Sequence, residues 1–144
     1  MKKLIGTKIE KLDFTPIKQG DLLYHDGPLL SVFKDELTNS LYFYKWSDCD
    51  ENAHRWLVFK VFTPDLKAFF EKKYSLRDLV LAQPFVYALD LDNDLIPQNI
   101  LLLSTQNMPK NYLPDKDSHF DISDFEEYAL ILEQKINEKI LFMA

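Results

Sequence analysis

A chain of 144 residues, with 47% hydrophobic and 14% aromatic residues and only 3 glycines, suits one domain with a real core, and its composition excludes a disordered protein. A formal charge of −6 argues against a nucleic-acid partner, because phosphate contacts dominate that kind of affinity. The one cysteine, Cys49, excludes an internal disulfide, and no stretch reaches the roughly 18 apolar residues of a membrane span, so a cytoplasmic protein without a membrane partner is expected.

The N-terminal residues alternate short apolar positions, Leu4, Ile5, Ile9, Leu12 and Phe14, among lysines. They predict an edge strand that Pro16 ends. Thr7, Lys8 and Glu10 interrupt any signal-peptide run. A brief strand after Gly20 and a turn at Asp26-Gly27-Pro28 follow, then a strand over Leu29–Lys34 and a hairpin loop over Asp35–Asn39.

The stretch Leu41 to Phe62 organises the rest. It reads as two strands, Leu41–Trp46 and Trp56–Phe62, joined by an acidic loop. Alternation places Leu41, Phe43, Leu57, Phe59 and Val61 on one face and Tyr42, Tyr44, Trp46, Trp56 and Val58 on the other. The first face is expected to be core. The second is an aromatic wall that the C-terminal helix or a partner covers.

Thr63-Pro64-Asp65 predicts a helix start with Thr63 as N-cap, followed by Leu66, Phe69, Phe70 and Tyr74 at helical spacing. Ser75 and Asp78 form a capping-box pattern for a second short helix. Phe85–Leu91 and Ile100–Leu103 read as strands, with a turn at Asp92-Asn93-Asp94 between them. Residues 104–121 predict a long irregular loop, a length at which loops tend to be functional or mobile. Ser123 and Glu126 then form a capping box opening a long helix with the stripe Phe125, Tyr128, Ala129, Leu132, Ile136 and Ile140. The expected fold is a single α+β domain over residues 1–144, with a mainly antiparallel sheet of five or six strands and helices on one face.

GPLL at Gly27–Leu30, LYFYKWSD at Leu41–Asp48, RWLVFKV at Arg55–Val61 and SLRDLV at Ser75–Val80 resemble a family of small, uncharacterised bacterial proteins. The resemblance covers residues 20 to 92 and implies a bacterial or phage origin. It supplies no catalytic residues to transfer.

Several constellations bear on chemistry. The loop from Ser47 to His54 gathers Asp48, Cys49, Asp50, Glu51 and His54, all of them metal-ligand types, but lacks the close Cys or His pairs of a zinc site. Asp90, Asp92 and Asp94 begin like a calcium loop, yet Leu95 and Leu101 stand where that loop needs Gly and Glu. His25, His54 and His119 each have acidic neighbours and no nucleophile motif beside them. Arg55 and Arg77 are the chain's two arginines, and structural ion pairs are expected for both.

No metal or cofactor is therefore expected. The expected binding residues are Tyr42, Tyr44, Trp46, Asp48, Asp50, His54, Arg55 and Trp56, as part of a non-catalytic module that binds another protein. Toxin neutralisation or phage conflict is one setting for such a module. The alternatives are a metal-dependent enzyme using the loop carboxylates and a homo-oligomeric subunit joined through the aromatic face.

Overall fold

The computed structural model describes residues 1–143, and side chains through residue 139. Strands β1 (Thr7–Lys8), β2 (Pro16–Tyr24), β3 (Pro28–Asp35), β4 (Leu41–Cys49) and β5 (His54–Val61) precede helices α1 (Thr63–Phe70) and α2 (Leu76–Leu81). Strands β6 (Phe85–Leu91) and β7 (Pro97–Ser104) and helix α3 (Tyr128–Met143) complete the order, with short 3₁₀ turns at Thr105–Asn107 and Ile122–Asp124. One antiparallel sheet of 7 strands runs β1-β7-β6-β5-β4-β3-β2. The expected five or six strands undercount it. The predicted N-terminal edge strand shrinks to the two residues of β1, and Pro16 opens β2 instead of ending a strand, since the first position of an edge strand needs no N–H donor.

Strand order follows chain order from β2 to β7, so each neighbour is reached by a short connection, apart from the α1–α2 crossover. The exception is the N-terminus. β1 pairs with β7 at one edge of the sheet, while β2 forms the opposite edge. Residues 9–15 therefore cross one face of the sheet as an irregular arm. Its contacts include Ile9 N–H to the Ile100 carbonyl at 3.0 Å, the Tyr87 hydroxyl to the Asp13 carboxylate at 2.6 Å, Thr15 N–H to Asp35 at 3.1 Å, Glu36 N–H to the Thr15 carbonyl at 3.0 Å, and the Phe14 ring stacked on Tyr42 at 3.7 Å.

The predicted alternation of faces holds. Phe43, Leu57, Phe59 and Val61 point toward α1, α2 and α3, where they meet Leu66, Phe69, Leu79, Val80, Ala129, Leu132 and Ile136 in the main core. Burying such aliphatic and aromatic side chains is worth about 1.5–3 kcal/mol each before chain entropy is counted. On the other face, Tyr44, Val58, Leu89 and Ile100 pack with Phe14 from the arm, and Tyr42 and Trp56 are partly buried beside them.

All three helices lie on the first face, so α3 does not cover the aromatic wall. Gly20 explains part of that choice. A Cβ built there would stand 2.5 Å from the Tyr128 ring, so the missing side chain lets the start of α3 lie against β2. The Glu126 N–H also bonds the Leu22 carbonyl at 2.9 Å, and Phe125 packs on Phe69, Phe70 and Phe120.

Two helix starts differ from expectation. The N-cap of α1 is Phe62, whose apolar side chain makes no capping bond; its carbonyl accepts the first helical bond, from the Leu66 N–H at 2.9 Å. Ser123 and Glu126 do not cap α3: the Asp124 carboxylate accepts from the Asp121 N–H at 2.9 Å and closes a 3₁₀ turn, and α3 begins at Tyr128. The Ser75–Asp78 capping box forms as predicted, at 3.1 and 2.8 Å. Tyr74 lies beyond α1 and is 41% exposed, and the Ile140 side chain falls outside the described residues.

Candidate functional site

The eight residues expected to bind a partner do not lie on one face. The reason is a β-bulge. Trp46 pairs with Trp56 and Asp48 pairs with Arg55, so β4 advances two residues while β5 advances one. That extra residue, Ser47, turns Asp48 to the helix side of the sheet and leaves Trp46, His54, Trp56 and Tyr44 on the open side. Asp50 belongs to neither group. Its carboxylate accepts the N–H groups of Asn52 and Ala53 at 2.8 and 2.9 Å and shapes the β4–β5 hairpin, and those bonds hold its carboxyl below the usual range. Tyr42 is stacked under Phe14 and is occupied by the arm.

On the helix side, Arg55 makes a two-pronged ion pair with Asp90, Nε to Oδ1 at 2.8 Å and Nη2 to Oδ2 at 2.9 Å, with both residues 5% exposed. Nη1 donates to the Lys2 carbonyl and to the Tyr112 hydroxyl at 3.2 Å. Tyr112 in turn donates to Asp48 at 2.6 Å. The Tyr112 bond is the main reason the Asp48 carboxyl is held below its ordinary value, and burial is the main reason the Tyr112 hydroxyl titrates above its own. This network joins β4, β5, β6, the N-terminus and the 104–121 loop. It is the structural ion pair expected of Arg55, and it commits the side chains of Arg55 and half-buried Asp48 to bonds within the fold. Arg77 departs from expectation: its Nη1 donates to the Pro114 carbonyl at 3.3 Å, so its contact is with the loop backbone.

The open side carries a cleft. The β2–β3 turn at His25–Pro28 walls it on one side and the β6–β7 turn at Asp92–Leu95 on the other, with Trp46, His54 and Trp56 as its floor, in a volume of about 470 Å³. Both turns and the β4–β5 hairpin lie at the same end of the sheet, as an antiparallel meander requires. The Trp46 indole N–H donates to His54 Nδ1 at 3.0 Å, which fixes both rings and leaves that nitrogen as an acceptor. Toward the middle of the sheet the cleft continues into an inner lobe of about 270 Å³, lined by Phe33, Tyr44, Trp56, Leu89 and Leu91. Lys18 from one edge of the sheet and Pro97 from β7 near the other line the same lobe, so the sheet curls around this face. Leu12 of the arm closes one side.

The rim was not legible in the sequence. Leu95 has a left-handed φ of 63° and is 72% exposed, and Ile96 beside it is 56% exposed. Across the cleft Leu29 is 37% exposed. Only the placement of the β6–β7 turn opposite the start of β3 makes a patch of them.

The acids suspected of metal binding separate. Asp90 is committed to Arg55, Asp92 accepts from Asp94 N–H and Ile96 N–H at 2.9 Å each, and Asp94 stands in the exposed turn. Among the described residues no three His, Cys, Asp or Glu side chains converge on a metal-sized site. His25 and His54 both line the cleft, with His25 facing Asp26 at 3.8 Å, while His119 sits in the 104–121 loop. No helix among the described residues is long and apolar enough to cross a membrane. No family model, curated protein or solved structure matches the chain, and the functional reading rests on the cleft itself.

Proposed function

We propose that this protein is a non-catalytic binding module whose aromatic cleft receives an apolar segment of another protein. One observation carries the reading. Leu95 holds a bulky apolar side chain in solvent on a left-handed backbone, at the lip of a cleft floored by two tryptophans. A non-glycine residue in that conformation costs of order 1 kcal/mol, and exposing an apolar side chain adds to the cost. The cost of exposure is offset when a partner covers the rim. Trp46 and Trp56 are the residue type that anchors interfaces, and the polar turn residues around them match the usual wetter margin.

Neutralisation of a toxin or a phage component is the narrower form of this proposal, supported by the small size and the charge of −6. The metal-dependent alternative has less support, since Asp48 and Asp50 of the loop already accept from Tyr112 and from the hairpin backbone, and Asp90 and Asp92 serve an ion pair and a turn.

The test places a photo-crosslinking amino acid at Leu95 and, separately, at exposed Glu138 on the opposite side of the sheet. Irradiation in the native host is expected to yield one discrete heavier adduct from position 95 and none from position 138. A self-adduct at twice the chain mass would favour the homo-oligomer. No adduct at 95, or the same adducts at both positions, sinks the proposal.

A further inference from the structure

We infer that the partner segment received by the cleft carries an arginine, whose guanidinium lies over the Trp46–Trp56 floor beside the Asp26 carboxylate. The inference rests on the protein-binding reading above and deepens it. Charge is the first argument. The β2–β3 turn contributes Asp26, the β4–β5 hairpin Asp50 and Glu51, and the β6–β7 turn Asp92 and Asp94. No lysine or arginine stands in any of these three connections, which share one end of the sheet. The lining of the cleft repeats the pattern, with Asp26 and Asp92 and no basic side chain. A cleft in that field draws in a cationic group and disfavours an anionic one.

The floor decides which cation. Among the described residues no three metal-ligand side chains converge, so a bare metal ion finds no ligand set there. Trp46 spends its N–H on His54 and offers the cleft only ring surface, and Trp56, its cross-strand partner, lines the same space. Indole rings attract organic cations, and the flat, weakly hydrated guanidinium suits such a floor better than the strongly hydrated ammonium of lysine. Asp26 supplies the carboxylate. Its backbone is left-handed at φ 55°, its side chain is 96% exposed, and His25 stands 3.8 Å away, beyond hydrogen-bond reach. Asp92 is less free, because its two oxygens already accept from the Asp94 and Ile96 N–H groups and the Gln98 amide. Asp26 therefore has both oxygens open to a two-pronged bond from an arginine. Apolar residues flanking that arginine would meet Leu29, Leu95 and Ile96 at the rim.

The probes are two tripeptides, acetyl-Leu-Arg-Leu-amide and acetyl-Leu-citrulline-Leu-amide, matched in shape and differing by one charge. The chain's two tryptophans both line the cleft, so the fluorescence of the full chain reports binding there. At about pH 8, where an ordinary imidazole is neutral, the arginine peptide is expected to bind about tenfold more tightly than the citrulline peptide. Asp26→Asn keeps the side chain's size and its ease in the left-handed region. It is expected to reduce the preference to about threefold and to leave the citrulline peptide unchanged. Glu138→Gln, exposed on the opposite side of the sheet, is expected to alter neither affinity. Equal affinity of the two peptides for the parent protein, or failure of both to bind, would overturn the inference. An unchanged preference in Asp26→Asn would do so too, as would equal losses in Asp26→Asn and Glu138→Gln, which would assign the preference to net charge alone. The crosslink at position 95 reports separately on whether a protein is bound, so a charge-blind cleft and an unoccupied one give different results.

Discussion

Replacing Asp90 by alanine tests the account of the Arg55 network most severely. Arg55 and Asp90 are each 5% exposed, and the carboxylate takes two of the guanidinium's four hydrogen bonds, from Nε and Nη2. Asp90→Ala leaves those two buried donors without a partner, while Nη1 keeps the Lys2 carbonyl and Tyr112. Breaking a buried pair by removing one partner costs about 3–5 kcal/mol, because an uncompensated charge remains. At this chain length about 3–4 °C of melting temperature goes with each kcal/mol, so a fall of about 10–20 °C is expected by circular dichroism. Arg55→Met/Asp90→Leu, which removes both charges and keeps volume, is expected to recover most of that loss. A loss below about 1 kcal/mol for Asp90→Ala would refute the reasoning, since only a solvated pair is so cheap to break.

Three further predictions concern other elements. The Tyr112 bond holds the Asp48 carboxyl below its ordinary value near 3.8, so it contributes stability above about pH 4 that is lost as pH falls through the lowered folded value. Tyr112→Phe should raise the Asp48 titration midpoint in carbon-detected NMR and flatten the stability curve in that acid window; an unmoved midpoint contradicts the network. Gly20→Ala should cost about 1–3 kcal/mol in urea titration, because its Cβ meets the Tyr128 ring at 2.5 Å, and a neutral result would mean that α3 is not held against β2. Ser75→Ala removes one arm of a reciprocal cap whose serine is 1% exposed, and should cost about 1 kcal/mol; no change in melting temperature would place the cap in solvent exchange.

What the sequence revealed and what it hid divide along physical lines. β4, β5 and β6 were legible because runs such as Trp56–Val61 and Phe85–Leu91 are dense in aromatic and β-branched residues, and their period of two assigned both faces. The Ser75 cap was legible because both of its bonds are local. The bulge at Ser47 was not: it is fixed by pairing with β5, and it sends Asp48 and Trp46 to opposite sides. Tyr112 was equally hidden, a fully buried side chain inside a proline-punctuated loop whose partners lie far along the chain. The Ser123–Glu126 pattern misled because its neighbour Asp121 offers a competing turn. As for the site, Tyr44, Trp46, His54 and Trp56 were named from sequence, whereas its walls come from turns that only the sheet brings face to face.

The arm over residues 9–15 orders events in time. From β2 to β7 the sheet is built by neighbours in sequence, so its ladders close early and at small loop-closure cost. The arm is different, because Thr7 must find Leu102 across most of the chain. Only once Leu102 and its strand are in place does the arm have an edge to join and a face to cross. Leu12 and Phe14 are then delivered to the aromatic wall together. Topology thus predicts that the β2–β7 ladders form before the arm docks and brings Leu12 to the inner lobe.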